Sequence, residues 1–249
     1  MLTGTHQPPS NRTGERLKIS SASASDAGPV RKHNEDFCAS DIDRGCFVLS
    51  DGMGGGPDGR AASELVCSVM LAKRARGDDW PAAVKTAHLG LRVESRKRNG
   101  TRDAGATVVA LAIEGDRYDL VWVGDSRIYL WNDGLTLLTR DHSIVQGLLA
   151  SGAIQPEDIA SHPYRHSLTQ VLGKTDPDKL EPECMRGRVY PGDRFVLCSD
   201  GLCDAVPESR LSVILDRYLD TQQAVRALMD AALDARAEDN VSVLIVDVL

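Results

Sequence analysis

From Lys18 onward the apolar positions fall into two periods. Short runs at Cys46–Ser50, Thr107–Ile113, Tyr118–Val123 and Arg127–Trp131, bounded by Gly, Asp or Asn, predict strands. Asn132-Asp133-Gly134 supplies a tight turn, and Leu135–Leu138 resumes a strand after it. Neighbours joined by such short turns predict an antiparallel meander rather than the strand–helix alternation of a dinucleotide-binding fold. Two later strands are expected at Arg194–Cys198, after the Pro191-Gly192-Asp193 turn, and at Val241–Val248. Three- and four-residue spacings predict helices over Ala61–Arg76, Trp80–Arg98 and Thr221–Arg236, each with an apolar face that needs a sheet to cover. The expected class is α+β: a four-layer α-β-β-α sandwich of two mostly antiparallel sheets flanked by helices. Residues 1–16 carry almost no apolar periodicity and are expected to be a disordered tail, with one folded domain over 17–249. Between Arg140 and Glu183 the pattern is broken by Gly152, Pro156, Pro163, Gly173 and Pro177, and a flap over the functional site (about 140–183) is expected.

Composition narrows the function classes. A length of 249 residues suits one large core. A formal net charge of −7 argues against a nucleic-acid surface, which rewards clustered Lys and Arg. No run approaches the roughly 20 apolar residues of a membrane helix, and residues 1–16 lack the apolar stretch of a signal peptide, so a cytoplasmic location and no membrane partner are expected. Six cysteines without a C-x-x-C pair are expected to be reduced thiols.

The chemistry lies in aspartates set where apolar runs end. Asp51-Gly52 follows Cys46–Ser50, Gly124-Asp125 follows Leu120–Val123, and Asp200-Gly201 follows Phe195–Cys198 and Ser199; Asp36 and Asp239 stand beside Glu35 and Asn240. Any one Asp-Gly pair closes ordinary turns. Three apolar runs with the same ending suggest convergence of carboxylates, which bind hard cations such as Mg²⁺ and Mn²⁺; a neighbouring glycine leaves its own carbonyl free to approach an ion. Arg31 lies five residues before Asp36, and its planar guanidinium suits two phosphate oxygens, although an Arg among acids is commonly a surface ion pair.

The ordered set Arg31-x-x-Asn34-Glu35-Asp36, Asp51-Gly52-Met53-Gly54-Gly55, Gly124-Asp125-Ser126-Arg127, Ser199-Asp200-Gly201 and Asp239-Asn240 resembles the protein phosphatase 2C family. Gly59-x-x-Ala62-Ser63 and Gly105-Ala106-Thr107 fit the same pattern, and the match runs from about residue 19 to 249. The resemblance implies a serine/threonine protein phosphatase with two Mn²⁺ or Mg²⁺ ions. Asp51 would bridge them, the Gly52 carbonyl would ligate one, and Asp36, Asp200 and Asp239 would complete the other's shell. Asp125 would share a third, looser cation with Asp200, Arg31 would hold the substrate phosphate, and Glu35 would accept from metal-bound water. The implied partners are phosphorylated proteins and a bacterial serine/threonine kinase that the chain opposes, with the chain a monomer.

One departure concerns proton supply. Many eukaryotic relatives carry His at the third position of Asp-Gly-x-Gly-Gly, where this chain has Met53, and a thioether donates no proton. His162 is the candidate acid; it opens a stretch resembling a flap motif of bacterial members in which His166 stands where Asn is usual. His33, His88 and His142 are expected to do surface or capping work, with Asp141-His142-Ser143 capping a helix from Ile144. A binding domain without turnover, or a phosphatase of small metabolites, would share the fold; the former would be expected to lack one of Asp51, Asp200 or Asp239, and all three are present.

Overall fold

Cys46–Ser50 is buried at every position because its side chains enter two different cores. Cys46 and Val48 join Val108, Ala110 and Ala112 against helical residues such as Val66, Met70, Trp80 and Val84. Phe47 and Leu49 point the other way, onto Phe195, Leu197, Leu244 and Val246. Alternate side chains of a strand face opposite sides of its sheet, so an unbroken apolar run means cover on both faces. A third core lies beyond the second sheet, where Val196, Cys198, Val243 and Ile245 meet Leu211, Leu215, Leu228 and Ala232. Helix, sheet, sheet, helix is therefore the order of layers, as expected.

The computed structural model describes residues 17–97 and 104–249. The expected tail at 1–16, and the last residue of the helix expected at Trp80–Arg98, lie outside them. In chain order the elements are β1 (Ile19–Asp26), β2 (Phe37–Asp41), β3 (Cys46–Ser50), β4 (Gly52–Met53), α1 (Pro57–Ala75), α2 (Trp80–Lys97), β5 (Gly105–Ala106), β6 (Val108–Glu114), β7 (Arg117–Val123), β8 (Arg127–Trp131), β9 (Leu135–Leu137), α3 (Ile144–Ala150), β10 (Glu183–Arg188), β11 (Arg194–Cys198), α4 (Asp200–Ala205), α5 (Glu208–Arg217), α6 (Thr221–Asp234) and β12 (Val241–Val248). One sheet runs β1-β12-β11-β8-β9 and the other β10-β7-β6-β3-β2, with β4 and β5 as a separate ribbon. Every strand pairing among the described residues is antiparallel. Helix α1 begins four residues before the expected start, because Pro57 at its first position brings a φ already suited to a helix.

The expected meander is corrected. β6 pairs with β7 and β8 with β9, but β8 also pairs with β11 in the other sheet, so the chain changes sheets between β7 and β8. Gly124 makes the step at φ 106°, and a Cβ there would stand 2.6 Å from the Thr107 side chain. The crossing leaves Asp125 at the seam between the sheets rather than in a hairpin.

Candidate metal centre

Strand register brings the acids to one end of the sandwich. Phe37 pairs with Ser50, which sets Asp36 beside Asp51. Cys198 pairs with Val243 and the Ser199 amide donates to the Ser242 carbonyl at 3.1 Å, so Ser199-Asp200 lies against the stretch that follows Asp239-Asn240. The Asp51 carboxyl is pushed well above the ordinary range by burial first, then by the negative fields of Asp36, Asp200, Asp125 and Asp239. Asp200 is raised likewise, by burial and then by Asp125, Asp239, Asp204 and Asp36. Burial lifts Asp36 to about 6 and Asp239 adds to that, while hydrogen bonds from Ser242 and Ser199 hold it down. Asp125 rises to about 7 through burial and the charges of Asp141 and Asp204. Asp51 thus feels the charge of all four other predicted aspartates, whereas the one group of three ligand atoms within 4.8 Å of one another among the described residues is that of His166, Asp200 and Asp204.

The cluster repels itself, and two of its oxygens lack partners: Asp36 Oδ1 and Asp200 Oδ1 are buried with no hydrogen bond among the described residues. Buried carboxylate oxygens without donors are costly unless a cation or proton meets them. An all-oxygen donor set of this kind fits hard divalent ions such as Mg²⁺ and Mn²⁺. Arg31 borders the cluster, donating from Nη2 to Asp239 Oδ2 at 2.7 Å across an exposed rim.

A polar frame that sequence reasoning missed holds the acids in place. Asn240 Nδ2 donates to the carbonyls of Ala27 (2.9 Å) and His33 (2.8 Å), and its Oδ1 accepts from the Glu35 amide (2.8 Å). One side chain so clamps the segment between β1 and β2 onto the start of β12. Ser199 Oγ donates to Asp36 Oδ2 at 2.7 Å, and Thr107 and Ser126 share a 2.7 Å hydroxyl contact below the Asp51 amide, which donates to Thr107 Oγ1 at 3.1 Å. Their signal was position: each sits next to an aspartate or inside a recognised motif.

Glu35 serves the glycine loop. Its Oε1 accepts from the Gly56 amide at 2.6 Å and its Oε2 from Gly55 at 3.2 Å, and a Cβ on Gly59 would fall 1.6 Å from Oε2. Gly52 is required by close packing, since a Cβ would meet the Gly59 oxygen at 2.0 Å and the Glu35 carbonyl at 2.7 Å. The carboxylate expected to accept from water accepts from two backbone amides.

His162 is not brought into the acid cluster. It ends a 3₁₀ turn over Pro156–Ser161, its Nδ1 accepts from the Tyr164 amide at 3.2 Å, and its ring lies against Tyr164. His166 is brought there: one ligand atom each of His166, Asp200 and Asp204 lie within 4.8 Å of one another, with His166 Nδ1 3.6 Å from Asp204. The segment that carries both histidines is tied down by reciprocal Ala106–Leu172 bonds and by Thr169 N to the His142 carbonyl at 2.7 Å. Two expected surface or capping histidines are instead buried acceptors: His88 Nδ1 takes the Gly173 amide at 3.1 Å, and His142 Nδ1 takes the Gly124 amide at 3.4 Å. Ser143 alone caps α3, accepting from Gln146, while Asp141 grips Arg127 through two bonds of 2.7 and 3.0 Å.

Comparison with known proteins identifies the family. The family model for protein phosphatase 2C matches residues 30–236. The serine/threonine protein phosphatase PstP of Mycobacterium tuberculosis is 33% identical over 243 residues, covering 94% of this chain and 46% of that protein. The chain therefore spans about half the length of this curated relative. A serine/threonine phosphatase, stp, of Listeria welshimeri is 33% identical over 242 residues and is covered over 93% of its length. Among solved structures, the catalytic domain of PstP in complex with two manganese ions superimposes with a TM-score of 0.83 at 31% identity, covering 94% of this chain and all of that one. Because that family model spans most of its length, the chain belongs to the protein phosphatase 2C family.

Proposed function

We propose that residues 17–249 form a phosphatase domain that hydrolyses phosphoserine and phosphothreonine on proteins and opposes a bacterial serine/threonine kinase, as a cytoplasmic monomer. The observation that carries the reading is the self-repelling group of Asp36, Asp51, Asp125, Asp200 and Asp239, with unpartnered buried oxygens on Asp36 and Asp200. Asp36, Asp51, Asp200 and Asp239, with the Gly52 carbonyl, would hold two Mn²⁺ or Mg²⁺ ions, and Asp125 with Asp200 a third, looser one. Bound in a pair, such ions acidify a water and neutralise phosphate charge for in-line displacement.

The chain's own residues do the rest. Arg31, on the exposed rim, binds the phosphate and trades its contact with Asp239 for substrate oxygens. Glu35 keeps the Gly54–Gly56 turn folded against α1, which fixes the Gly52 carbonyl. The proton for the departing alkoxide is assigned to the flap, where His166 stands beside Asp200 and Asp204 and His162 is the alternative donor.

Phosphopeptide hydrolysis measured with Mn²⁺, with Mg²⁺ and with chelator tests the reading. Turnover is expected only with metal, and Asp200→Ala is expected to lower it by about 10³-fold or more, the scale on which removing central charge stabilisation acts. Turnover that survives chelator would refute it.

A further inference from the structure

Cys198 closes β11 and Cys203 lies in α4, and their sulfurs are 3.2 Å apart. Ser199, Asp200, Gly201 and Leu202 are the residues between them. A disulfide bond measures about 2.0 Å, so closure needs a sulfur displacement of roughly 1 Å, within reach of side-chain rotation. Cys198 is buried and Cys203 half-buried, so a small oxidant meets Cys203 first. The setting of Cys203 is polar: Tyr129 Oη donates to its sulfur at 3.7 Å, and the hydrogen bond from Cys198, with the nearby Arg127 charge, holds its thiol below the ordinary range. Burial pushes Cys38 up to about 12 and raises Cys46, Cys67 and Cys184 as well.

We propose that Cys198 and Cys203 are a site of reversible oxidation, at which a peroxide converts the two thiols to an intramolecular disulfide that closes a ring around Asp200 and weakens divalent-cation binding. The Cys203 sulfur attacks one peroxide oxygen and releases one water, becoming a sulfenic acid. Cys198 then displaces the hydroxyl as a second water while the S–S bond forms. Two thiols and one hydrogen peroxide so give one disulfide and two waters. The ring also contains Ser199, whose hydroxyl donates to Asp36, so the bond draws on two of the converging acids. The consequence for cations rests on the reading of Asp200 as a ligand; the disulfide does not.

The test separates the two. After hydrogen peroxide, alkylation and tryptic digestion, Phe195–Arg210 carries both cysteines and is expected to appear unalkylated and two hydrogens lighter, returning to the doubly alkylated form after dithiothreitol. Mn²⁺ titration by calorimetry is expected to show at least a tenfold weaker site in the oxidised protein than in the reduced one. Cys203→Ser, with its fold checked by circular dichroism, is expected to keep its affinity through oxidant treatment, and Cys184→Ser to behave as the wild type. A fully alkylated peptide after peroxide overturns the disulfide, and an oxidised protein with unchanged Mn²⁺ affinity overturns its consequence. Reduced protein that binds no Mn²⁺ would instead overturn the phosphatase reading, with the disulfide judged by the peptide mass.

Discussion

A seryl alkoxide leaves phosphorus only with a proton, whereas a nitrophenolate leaves without one, and Met53 has no proton to give. The two histidines of the 162–166 segment differ in what they touch. His162 turns its Nδ1 to the Tyr164 amide, and His166 stands at Asp200 and Asp204. His166→Ala is therefore expected to slow phosphoserine-peptide hydrolysis by about 10²-fold, at the lower end of general-acid effects, and nitrophenyl phosphate hydrolysis only a few-fold. His162→Ala should change both rates little and equally. Matched kinetics on the two substrates check this, and equal losses for His166→Ala would remove it as the acid. Motif resemblance points to His162 because it aligns positions along a line; which ring reaches the acids depends on the turn at Pro163 and on how Leu168 and Leu172 hold the segment, and neither leaves a trace in spacing.

At the scale of elements, β11 and β12 are joined to the loop between α5 and α6 by one buried cation. Arg194 Nη2 donates to Asp247 Oδ2 at 2.9 Å and its Nη1 to the Tyr218 carbonyl at 2.7 Å, with both side chains nearly excluded from water. Removing one partner of such a pair leaves an uncompensated buried charge, so Asp247→Ala is expected to cost about 3–5 kcal/mol, or a fall in Tm of roughly 6–20 °C. Arg194→Leu/Asp247→Leu should recover part of that loss; thermal melts of single and double variants read the difference, and strict additivity would contradict the coupling. The strands of this region were legible to the residue: Cys46–Ser50, Arg127–Trp131, Arg194–Cys198 and Val241–Val248 all have the expected bounds. Cores on both faces make each an apolar run with sharp polar ends. β1, with the sequence ISSASASD, has no bulky apolar period and pairs at a sheet edge, so small side chains hid it. Pairing was less legible than existence, because periodicity reports cover on a face and says nothing about which neighbour a strand takes; hence the corrected meander.

Over the whole molecule the acids arrive from both sheets, so their repulsion is a property of the folded sandwich and vanishes on unfolding. Asp36 titrates at about 6 and Asp125 at about 7 in the fold, against an ordinary carboxylate value of 3.8. The folded state therefore holds these two protons after the unfolded chain has released them, and the contribution of Asp36 and Asp125 to stability falls as pH rises from about 4 through about 7, against an opposite and smaller trend from His88 and His142, which burial holds below 6.5. For Asp36 alone the upper bound is on the order of 3 kcal/mol, equivalent to roughly 6–12 °C in Tm for a chain of this size. Asp41, held low by Arg44, acts only at more acid pH and leaves this window untouched. Chelator-treated protein is thus expected to melt several degrees lower at pH 8 than at pH 5. Divalent cations compete with those protons and bind only the assembled site, so millimolar Mn²⁺ should raise Tm more at pH 8 than at pH 5 and flatten the profile. Calorimetric melts at the two pH values, with and without Mn²⁺, measure both slopes. A Mn²⁺ shift of the same size at both would mean that the ions bind somewhere other than among these five carboxylates.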